Sequence, residues 1–370
     1  MLSVDNVANM GVWSVESCMQ PDRRIFLVGA AASLVPASAI AQSSPSGTIN
    51  LMAYGGIFQD NYVRAVVEPF QQAFPRVKVN YVAAGTSAQM LGAIRAQKAD
   101  PQIDVVIFDV STATIGNAEG LFSKITAQEA PSLDDLYPEA RAVGGPFGPA
   151  VTYDHLVLVY DRQNLNPPLA RLADLWRPDL KGQLAVSAPP NIQGLALTAM
   201  VTKMEGGNHT QSIDAGIRKL RDLAPAVQTW EPNPDGYTLI LNGVVRVATG
   251  WNARAQLYSD ETKGRLGVVL PPEGSVFQVN TINIPEGAKN RAAAVAFTNY
   301  ALSRAAQKAF SERMFYAPTN AKADVAPDAL ARTAASPESR ARMIPVDWAE
   351  IAKVRDQWNN RWRREVIAAR

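Results

Sequence analysis

Residues 49–74 read INLMAYGGIFQDNYVRAVVEPFQQAF, a stretch in which a short run of β-forming residues is followed by an amphipathic pattern. Residues 49–54 form the β-rich run, and Gly55 and Gly56 interrupt it, as a turn requires. Five apolar residues then recur at the spacing of one helix face, namely Val63, Val66, Val67, Phe70 and Phe74. The stretch therefore predicts a strand, a turn and an amphipathic helix.

The same pattern repeats after Pro75. Residues 77–82 favour a second strand, and Met90, Leu91 and Ile94 lie on one face of a second predicted helix. Residues 103–108 are dominated by apolar side chains, which is typical of a strand buried on both faces of a parallel sheet. Repeated strand–helix units of this kind indicate an open α/β lobe.

A second series of predicted strands begins at residue 156. Its strands are predicted over residues 156–160, 183–187, 226–229, 244–249 and 266–270, with helices between them, for example over residues 192–204 and 213–223. Glycine and proline cluster on either side of this series, in residues 144–149 and 271–274. We interpret these two clusters as crossings between lobes.

After the second crossing the chain returns to the first lobe. Residues 276–284 predict a strand, residues 292–310 an Ala-rich helix, and residues 347–369 a final amphipathic helix. These predictions give an α/β fold class with two discontinuous lobes joined by a hinge. The first lobe takes residues 47–147 and 278–325, and the second takes residues 148–277 and 326–370.

The first 41 residues carry the features of an export signal. Arg23 and Arg24 precede residues 25–35, which carry no charge, and a run of small residues ends at Ala41. The uncharged run is well short of the roughly 20 residues that a transmembrane helix needs. We therefore expect cleavage after Ala41 and a periplasmic location. The twin arginines resemble a Tat signal, while Sec export and a start at Met19 stay open.

Composition excludes several classes of function. The 36 basic and 34 acidic residues leave a net charge of +2, so no global field recruits nucleic acid. Cys18 is the only cysteine and precedes the cleavage site, which suits an oxidising compartment and excludes thiolate metal sites. We interpret the only histidines, His155 and His209, as structural or exposed. Because no phosphate-binding, hydrolase or zinc-protease motif occurs, we predict no catalytic residue, metal or cofactor.

Several segments resemble the spermidine/putrescine-binding family of ABC-transporter proteins, and they occur in that family's order. They are residues 54–56 (YGG) with 67–70 (VEPF), 174–182 (DLWRPDLKG), 250–255 (GWNARA), 283–290 (NIPEGAKN) and 316–320 (YAPTN). The resemblance implies a type II periplasmic binding fold that captures a small-molecule solute between its lobes. It also implies a monomer without enzyme activity that delivers the solute to an ABC-transporter permease in the inner membrane.

The resemblance further implies which residues meet the ligand. Tyr54, Trp251 and Phe277 match aromatic residues of the family's cleft, and Asp109 falls on a cleft loop. Open α/β sheets bind ligands at the carboxyl ends of their strands, which independently supports Asp109 and Gly55. The complete set of predicted ligand-binding residues is Tyr54, Gly55, Asp109, Ser111, Tyr237, Trp251, Arg254 and Phe277.

Three positions depart from the family where its polyamine binders carry carboxylates. Pro189 and Ile192 stand in place of an acidic pair, and Val279 stands in place of an aspartate. Each buried ammonium group requires a partner, because an unpaired buried charge is strongly unfavourable. The departures therefore disfavour spermidine itself. A single carboxylate, Asp109, among aromatic rings favours a small organic cation, either a polyamine-related or a thiamine-like amine.

Alternatives stay open for several of these residues. Arg254 repels a pure cation, so it either forms a salt bridge with an acid of the second lobe or grips a zwitterionic or anionic ligand. Asp109 alternatively caps the helix that follows it, and the aromatic residues alternatively pack in the core. A two-lobed enzyme and a sensor or scaffold are the competing function classes.

Overall fold

The computed structural model describes residues 45–369, so the predicted export signal over residues 1–41 lies outside the described part of the chain. No helix within residues 45–369 has both the length and the apolar composition that crossing a bilayer requires.

Nine strands and fourteen α-helices form the described part of the chain. The strands are β1 (Gly47–Tyr54), β2 (Val77–Ala84), β3 (Val105–Asp109), β4 (Ala150–Asp161), β5 (Leu184–Ala185), β6 (Val227–Thr229), β7 (Val247–Trp251), β8 (Leu266–Val269) and β9 (Phe277–Asn283). The helices are α1 (Ile57–Tyr62), α2 (Glu68–Ala73), α3 (Ser87–Ala96), α4 (Val110–Ala118), α5 (Pro138–Ala142), α6 (Ile192–Met204), α7 (Asp214–Arg221), α8 (Gly236–Leu241), α9 (Asn252–Glu261), α10 (Arg291–Ala301), α11 (Arg304–Met314), α12 (Pro327–Leu330), α13 (Pro337–Arg342) and α14 (Trp348–Arg361).

The sheet contains two parallel groups separated by antiparallel strands. Its order is β2-β1-β3-β9-β4-β7-β5-β6, and β8 also pairs with β4. In the first group β1 runs parallel to β2 and β3, and in the second β5 runs parallel to β6 and β7. Strand β9 runs antiparallel to both β3 and β4. The two groups correspond to the two series of strand–helix units in the sequence.

Strand β4 connects the two halves of the sheet. Up to His155 it pairs with β9, and from Leu156 onward it pairs with β7 and then also with β8. The chain returns to the first half through β9. The clusters at residues 144–149 and 271–274 are the turns that lead into these two strands. The hinge and the lobe boundaries stay predictions, with β4 and β9 as the segments that any hinge movement must bend.

Two predicted helices differ in detail from the observed ones. The helix predicted over residues 292–310 is two helices, α10 and α11, because Ser303 lies outside both and accepts a hydrogen bond from Ala306 N over 3.3 Å, as an N-cap. The helix predicted over residues 347–369 is α14, capped by Asp347, followed by a π-helical turn, Trp362–Val366, and a 3-10 turn, Ile367–Ala369. Trp348 and Trp358 of α14 and Trp362 of the π-helical turn are buried, so these tryptophans pack inward.

Candidate functional site

A cavity of about 890 Å³ lies where strands of both halves of the sheet end. Strands β1, β2, β3 and β7 reach its wall with their carboxyl ends, at Tyr54, Ala84, Asp109 and Trp251. Open α/β sheets bind ligands at such an edge. The volume is in the range of sites for small organic molecules.

Strand β9 contributes two polar side chains that organise one wall of the cavity. Gln278 and Asn280 are two residues apart, so both side chains lie on the same face of the sheet. Gln278 Nε2 donates to Asn280 Oδ1 over 2.7 Å and to Asp109 Oδ2 over 3.4 Å. Tyr54 Oη donates to the same Asn280 oxygen over 3.1 Å. The network joins β1, β3 and β9 across the cavity wall.

Aromatic side chains line the cavity from both halves of the sheet. They are Tyr54, Phe58, Tyr237, Trp251 and Tyr316. Tyr237 Oη donates to the backbone carbonyl of Trp251 over 2.8 Å. Gly250 permits this arrangement, because a Cβ atom at that position would lie 2.6 Å from the Tyr237 ring. Aromatic rings attract cationic groups that lie over their faces.

Asp109 has one of the two roles that the sequence left open, that of a helix cap, and its role in ligand binding stays a prediction. It is the N-cap of α4, and it also lines the cavity. Its Oδ1 accepts hydrogen bonds from the backbone N–H of Ser111 over 2.9 Å and from the Ser111 hydroxyl. Burial raises the pKa of Asp109, while the hydrogen bonds from Ser111 and Gln278 act in the opposite direction.

Two further carboxylates line the cavity, and the sequence argument missed both. Asp154 lies on β4, and Asp235 is the N-cap of α8, where its Oδ1 accepts from Thr238 N over 2.8 Å. The prediction of a single carboxylate in the site is therefore wrong. Asp235 immediately precedes a glycine and a helical apolar pattern, which is a capping signal that a search of the sequence could have found.

Arg254 extends from the first turn of α9 and lines the same cavity. The side chain is exposed, and it forms no salt bridge with any acidic residue in the described part of the chain. The salt bridge to an acid of the second lobe, which was one of the two alternatives for this residue, is therefore absent. A free guanidinium facing a cavity can hold a carboxylate or phosphate group through two parallel hydrogen bonds.

Seven of the eight predicted ligand-binding residues line the cavity: Tyr54, Gly55, Asp109, Ser111, Tyr237, Trp251 and Arg254. Their contact with a ligand stays a prediction. The structure corrects the position of the eighth, Phe277. Its ring stacks on Tyr153 with centroids 4.9 Å apart, and the Arg340 guanidinium lies 5.7 Å from the ring centre. Phe277 is therefore a packing residue beside β4.

The alternation of side chains along β9 also corrects the argument that Val279 replaces a ligand-binding carboxylate. This residue is 6% exposed and does not line the cavity, because alternate side chains of β9 point to opposite faces. The residues that face the cavity are its neighbours, Gln278 and Asn280. The absence of a carboxylate at Val279 therefore says nothing about the ligand. Ile192 does line the cavity, beside Asn191 and Gln193.

Two buried polar atoms in the cavity wall have no hydrogen-bond partner. They are Oε1 of Gln193, near the start of α6, and Oγ1 of Thr249, on β7. Buried polar groups in folded proteins are nearly always paired, so unpaired atoms require an explanation. Both atoms lie in the wall contributed by the second half of the sheet. Both atoms have almost no accessible surface, so a solute in the cavity could pair with them only if the wall rearranged.

The family model for "Bacterial extracellular solute-binding protein" matches residues 65–338. The chain is 25% identical over 302 residues to the spermidine/putrescine-binding periplasmic protein of Escherichia coli, covering 79% of this chain and 81% of that protein. It is also 25% identical over 297 residues to the gamma-aminobutyric acid-binding protein of Pseudomonas aeruginosa, covering 77% and 80% of the two chains.

A solved structure has the same fold. The spermidine/putrescine ABC transporter substrate-binding protein PotD from Streptococcus pneumoniae superposes with a TM-score of 0.73 at 15% identity, covering 88% of this chain and all of that chain. The likeness confirms the predicted α/β fold class, that of the type II periplasmic solute-binding proteins. The match to the family model agrees with the family resemblance of the sequence motifs.

Proposed function

The chain belongs to the bacterial extracellular solute-binding protein family, and from this premise we propose that it captures a small amine-bearing solute for an ABC transporter. The cavity at the strand ends is the proposed binding site. The protein would act without catalysis, as a periplasmic monomer that presents its loaded form to a permease in the inner membrane. The names of two relatives, which bind spermidine and putrescine or gamma-aminobutyric acid, support an amine as the solute.

The balance of charge in the cavity wall carries this proposal. Three carboxylates, Asp109, Asp154 and Asp235, line the cavity beside one guanidinium, Arg254. If all four groups are ionised, the cavity has an excess of two negative charges. Aromatic rings lie among them, and a cationic nitrogen gains from both kinds of neighbour. A solute with one or more ammonium groups therefore fits the wall better than a neutral or anionic one.

Arg254 favours an amine that also carries an acidic group. The guanidinium has no salt-bridge partner among the described residues, whereas the Asp109 and Asp235 carboxylates accept hydrogen bonds as helix caps. A solute with an ammonium group at one end and a carboxylate at the other would satisfy both kinds of charge. Within the class of amine-bearing solutes, an amino acid is thus a second candidate beside a polyamine-related or thiamine-like amine.

Calorimetry with a panel of solutes tests the proposal. The panel consists of putrescine, spermidine, thiamine and 4-aminobutyrate, with fructose 6-phosphate as the anionic comparison, at about pH 8.5, where Asp154, whose pKa is about 7, is ionised. We expect micromolar or tighter binding of at least one amine and none of the sugar phosphate. Binding of fructose 6-phosphate alone would contradict the proposal, because it would assign recognition to Arg254 without the carboxylates.

A further inference from the structure

Asp154 is a carboxylate that faces the cavity although its side chain is almost completely buried. It is 2% exposed, and it lies on β4 next to the point where the pairing of that strand changes from β9 to β7. Its Oδ1 accepts hydrogen bonds from the backbone N–H groups of His155 and Ala253, over 2.8 and 3.1 Å. Among residues 45–369 no lysine, arginine or histidine side chain forms a salt bridge with it.

A second buried aspartate on the same strand provides a comparison. Asp161 is 1% exposed, and its Oδ2 accepts hydrogen bonds from Arg265 Nη2 and Asn164 Nδ2, both over 2.9 Å. Although burial acts in the opposite direction, these hydrogen bonds lower the pKa of Asp161. Asp161, outside the cavity, therefore has a cationic hydrogen-bond partner, whereas Asp154, in the cavity wall, has none among the described residues.

None of the groups around Asp154 forms the kind of cationic hydrogen bond that Arg265 forms with Asp161. Arg254 on α9 acts on it only through its longer-range field, and the Tyr237 and Tyr316 side chains face it from α8 and from the segment after α11. The other titratable groups nearby are Asp235 beside Tyr237, Tyr54 beside Tyr316, Asp109 beyond Gln278, and the adjacent His155. Burial lowers the pKa of His155 to about 3, so this imidazole is neutral at physiological pH.

We propose that Asp154 binds the cationic nitrogen of the ligand and that capture of this cation releases one proton from Asp154 to solvent, an inference that rests on the proposed amine ligand. In the free protein at about pH 6 the carboxyl group holds a proton in an O–H bond. When the ligand ammonium arrives, that bond breaks and the buffer takes the proton. The resulting carboxylate then accepts a hydrogen bond from the ammonium group.

The electrostatics of the site agree with this exchange. Burial raises the pKa of Asp154 to about 7, and the backbone hydrogen bonds and the field of Arg254 offset only part of the rise. A cation brought into contact lowers the pKa of such a carboxyl group. Below pH 7 the ligand must therefore displace a proton, and its apparent affinity is expected to fall about tenfold for each unit of pH.

Asp109 is the competing source of a released proton, and its hydrogen bonds argue against it. The ionised form of Asp109 accepts hydrogen bonds from the backbone N–H and hydroxyl of Ser111 and from the side chain of Gln278. These side-chain donors stabilise its charge without any ligand. Asp154 accepts only backbone donors. A ligand cation should therefore stabilise the ionised form of Asp154 more than that of Asp109.

Calorimetry in paired buffers tests the inference. Each amine of the panel, putrescine, spermidine, thiamine and 4-aminobutyrate, is titrated at about pH 6 in phosphate and in imidazole, whose ionisation enthalpies differ, so that released protons are counted. We expect nearly one proton per bound amine for the wild-type chain. Asp154→Asn should bind more weakly and release none. Asp109→Asn, the matched control, should also bind more weakly but keep the release.

Each result bears on a different claim. Binding by the wild-type chain without proton release would overturn the role of Asp154 and leave the proposed amine ligand intact. Release that persists in Asp154→Asn and disappears in Asp109→Asn would assign the proton to Asp109. If no amine binds even at about pH 8.5, the proposed ligand class and the role of Asp154 both fail. The proton count of the wild-type chain keeps the inference testable even if Asp154→Asn does not fold.

Discussion

Asp154 on β4 lies directly opposite Gln278 on β9, in the antiparallel pair that links the two halves of the sheet. Gln278 in turn donates a hydrogen bond to Asp109 at the end of β3. Polar groups of the cavity are thus carried by the two strands that any hinge movement must bend. We expect a ligand bound to these groups to contact the connecting strands as well as the walls, and therefore to change the angle between the two predicted lobes.

The first prediction concerns this movement. Saturation with a bound amine should bring the two predicted lobes together, because a ligand that touches both walls stabilises the closed form through contacts that the open form lacks. Small-angle scattering should then show a smaller radius of gyration with ligand than without it. An unchanged radius at saturating ligand would indicate capture without closure.

The second prediction concerns Trp251. If its ring receives the cationic nitrogen, Trp251→Ala removes a cation–π contact of about 0.5 to 2 kcal/mol, or roughly 2- to 30-fold in affinity, together with some apolar contact. Calorimetry measures the loss. Trp176→Phe is the control, since Trp176 lies outside the cavity, where its Nε1 donates to Lys219 O over 2.9 Å. Equal losses in both variants would point to a general effect on folding.

The third prediction separates the two kinds of amine. Arg254→Gln should strengthen the binding of putrescine, because a like charge leaves the cavity. It should weaken the binding of 4-aminobutyrate roughly 10- to 100-fold, because a charge-assisted hydrogen bond to the carboxylate is lost. The exposed Arg355 outside the cavity gives the control Arg355→Gln, which changes net charge equally. Weaker binding of both solutes would contradict a direct contact between Arg254 and a carboxylate.

The fourth prediction tests the corrected position of Phe277. Phe277→Leu loses the stack on Tyr153 and should lower the free energy of unfolding by about 1 kcal/mol. Ligand affinity should not change, because the ring lies outside the cavity. Denaturant unfolding and calorimetry measure the two effects. A marked loss of affinity at unchanged stability would indicate that Phe277 contacts the ligand.

The fifth prediction is a pair of opposite pH dependences in the ligand-free protein. The pKa of Asp154 rises from 3.8 to about 7 on folding, so its contribution to stability is present below pH 4 and is lost as pH rises to 7. The pKa of His155 falls from 6.5 to about 3, so its contribution is present above pH 6.5 and is lost as pH falls. In the wild-type chain the two effects partly cancel between these limits.

Substitution of either Asp154 or His155 should separate the two pH dependences of stability. Between about pH 4.5 and 6.5, the midpoint of thermal unfolding should rise with pH more steeply in Asp154→Asn than in the wild-type chain. It should fall with pH in His155→Gln, relative to the wild-type chain. Circular dichroism melts across this range give both curves. Parallel curves for the three proteins would show that neither group changes its pKa on folding.

Periodicity and turn residues were enough to predict most of the fold. The strand–turn–helix unit at residues 49–74, the buried strand β3 and the return of the chain through β9 all depend on local patterns that the sequence displays. The break between α10 and α11 was missed because Ser303 sits in a continuous helical pattern of apolar residues. The break depends on a single N-cap hydrogen bond to Ser303, and such a bond leaves only a weak signal in the sequence.

The site was harder to predict because it depends on which face of a strand a side chain occupies. All twelve residues of β4 are buried, so no alternation of polar and apolar residues marked Asp154 as a cavity residue. Phe277 and Val279 were assigned by position in a family motif, which identifies a residue but not its direction. Their direction is set by distant neighbours, such as Tyr153 on the adjacent strand.

Native mass spectrometry of the protein purified from its own cells tests the central claim, capture of an amine, most directly. Gentle ionisation retains a solute that dissociates slowly, and fragmentation then gives its composition. We expect a complex that exceeds the mass of the free chain by one small solute containing an amine nitrogen, and a lower occupancy in Trp251→Ala. A bound solute without an amine, such as a sugar phosphate, retained equally by Asp154→Asn and lost in Arg254→Gln, would contradict the account.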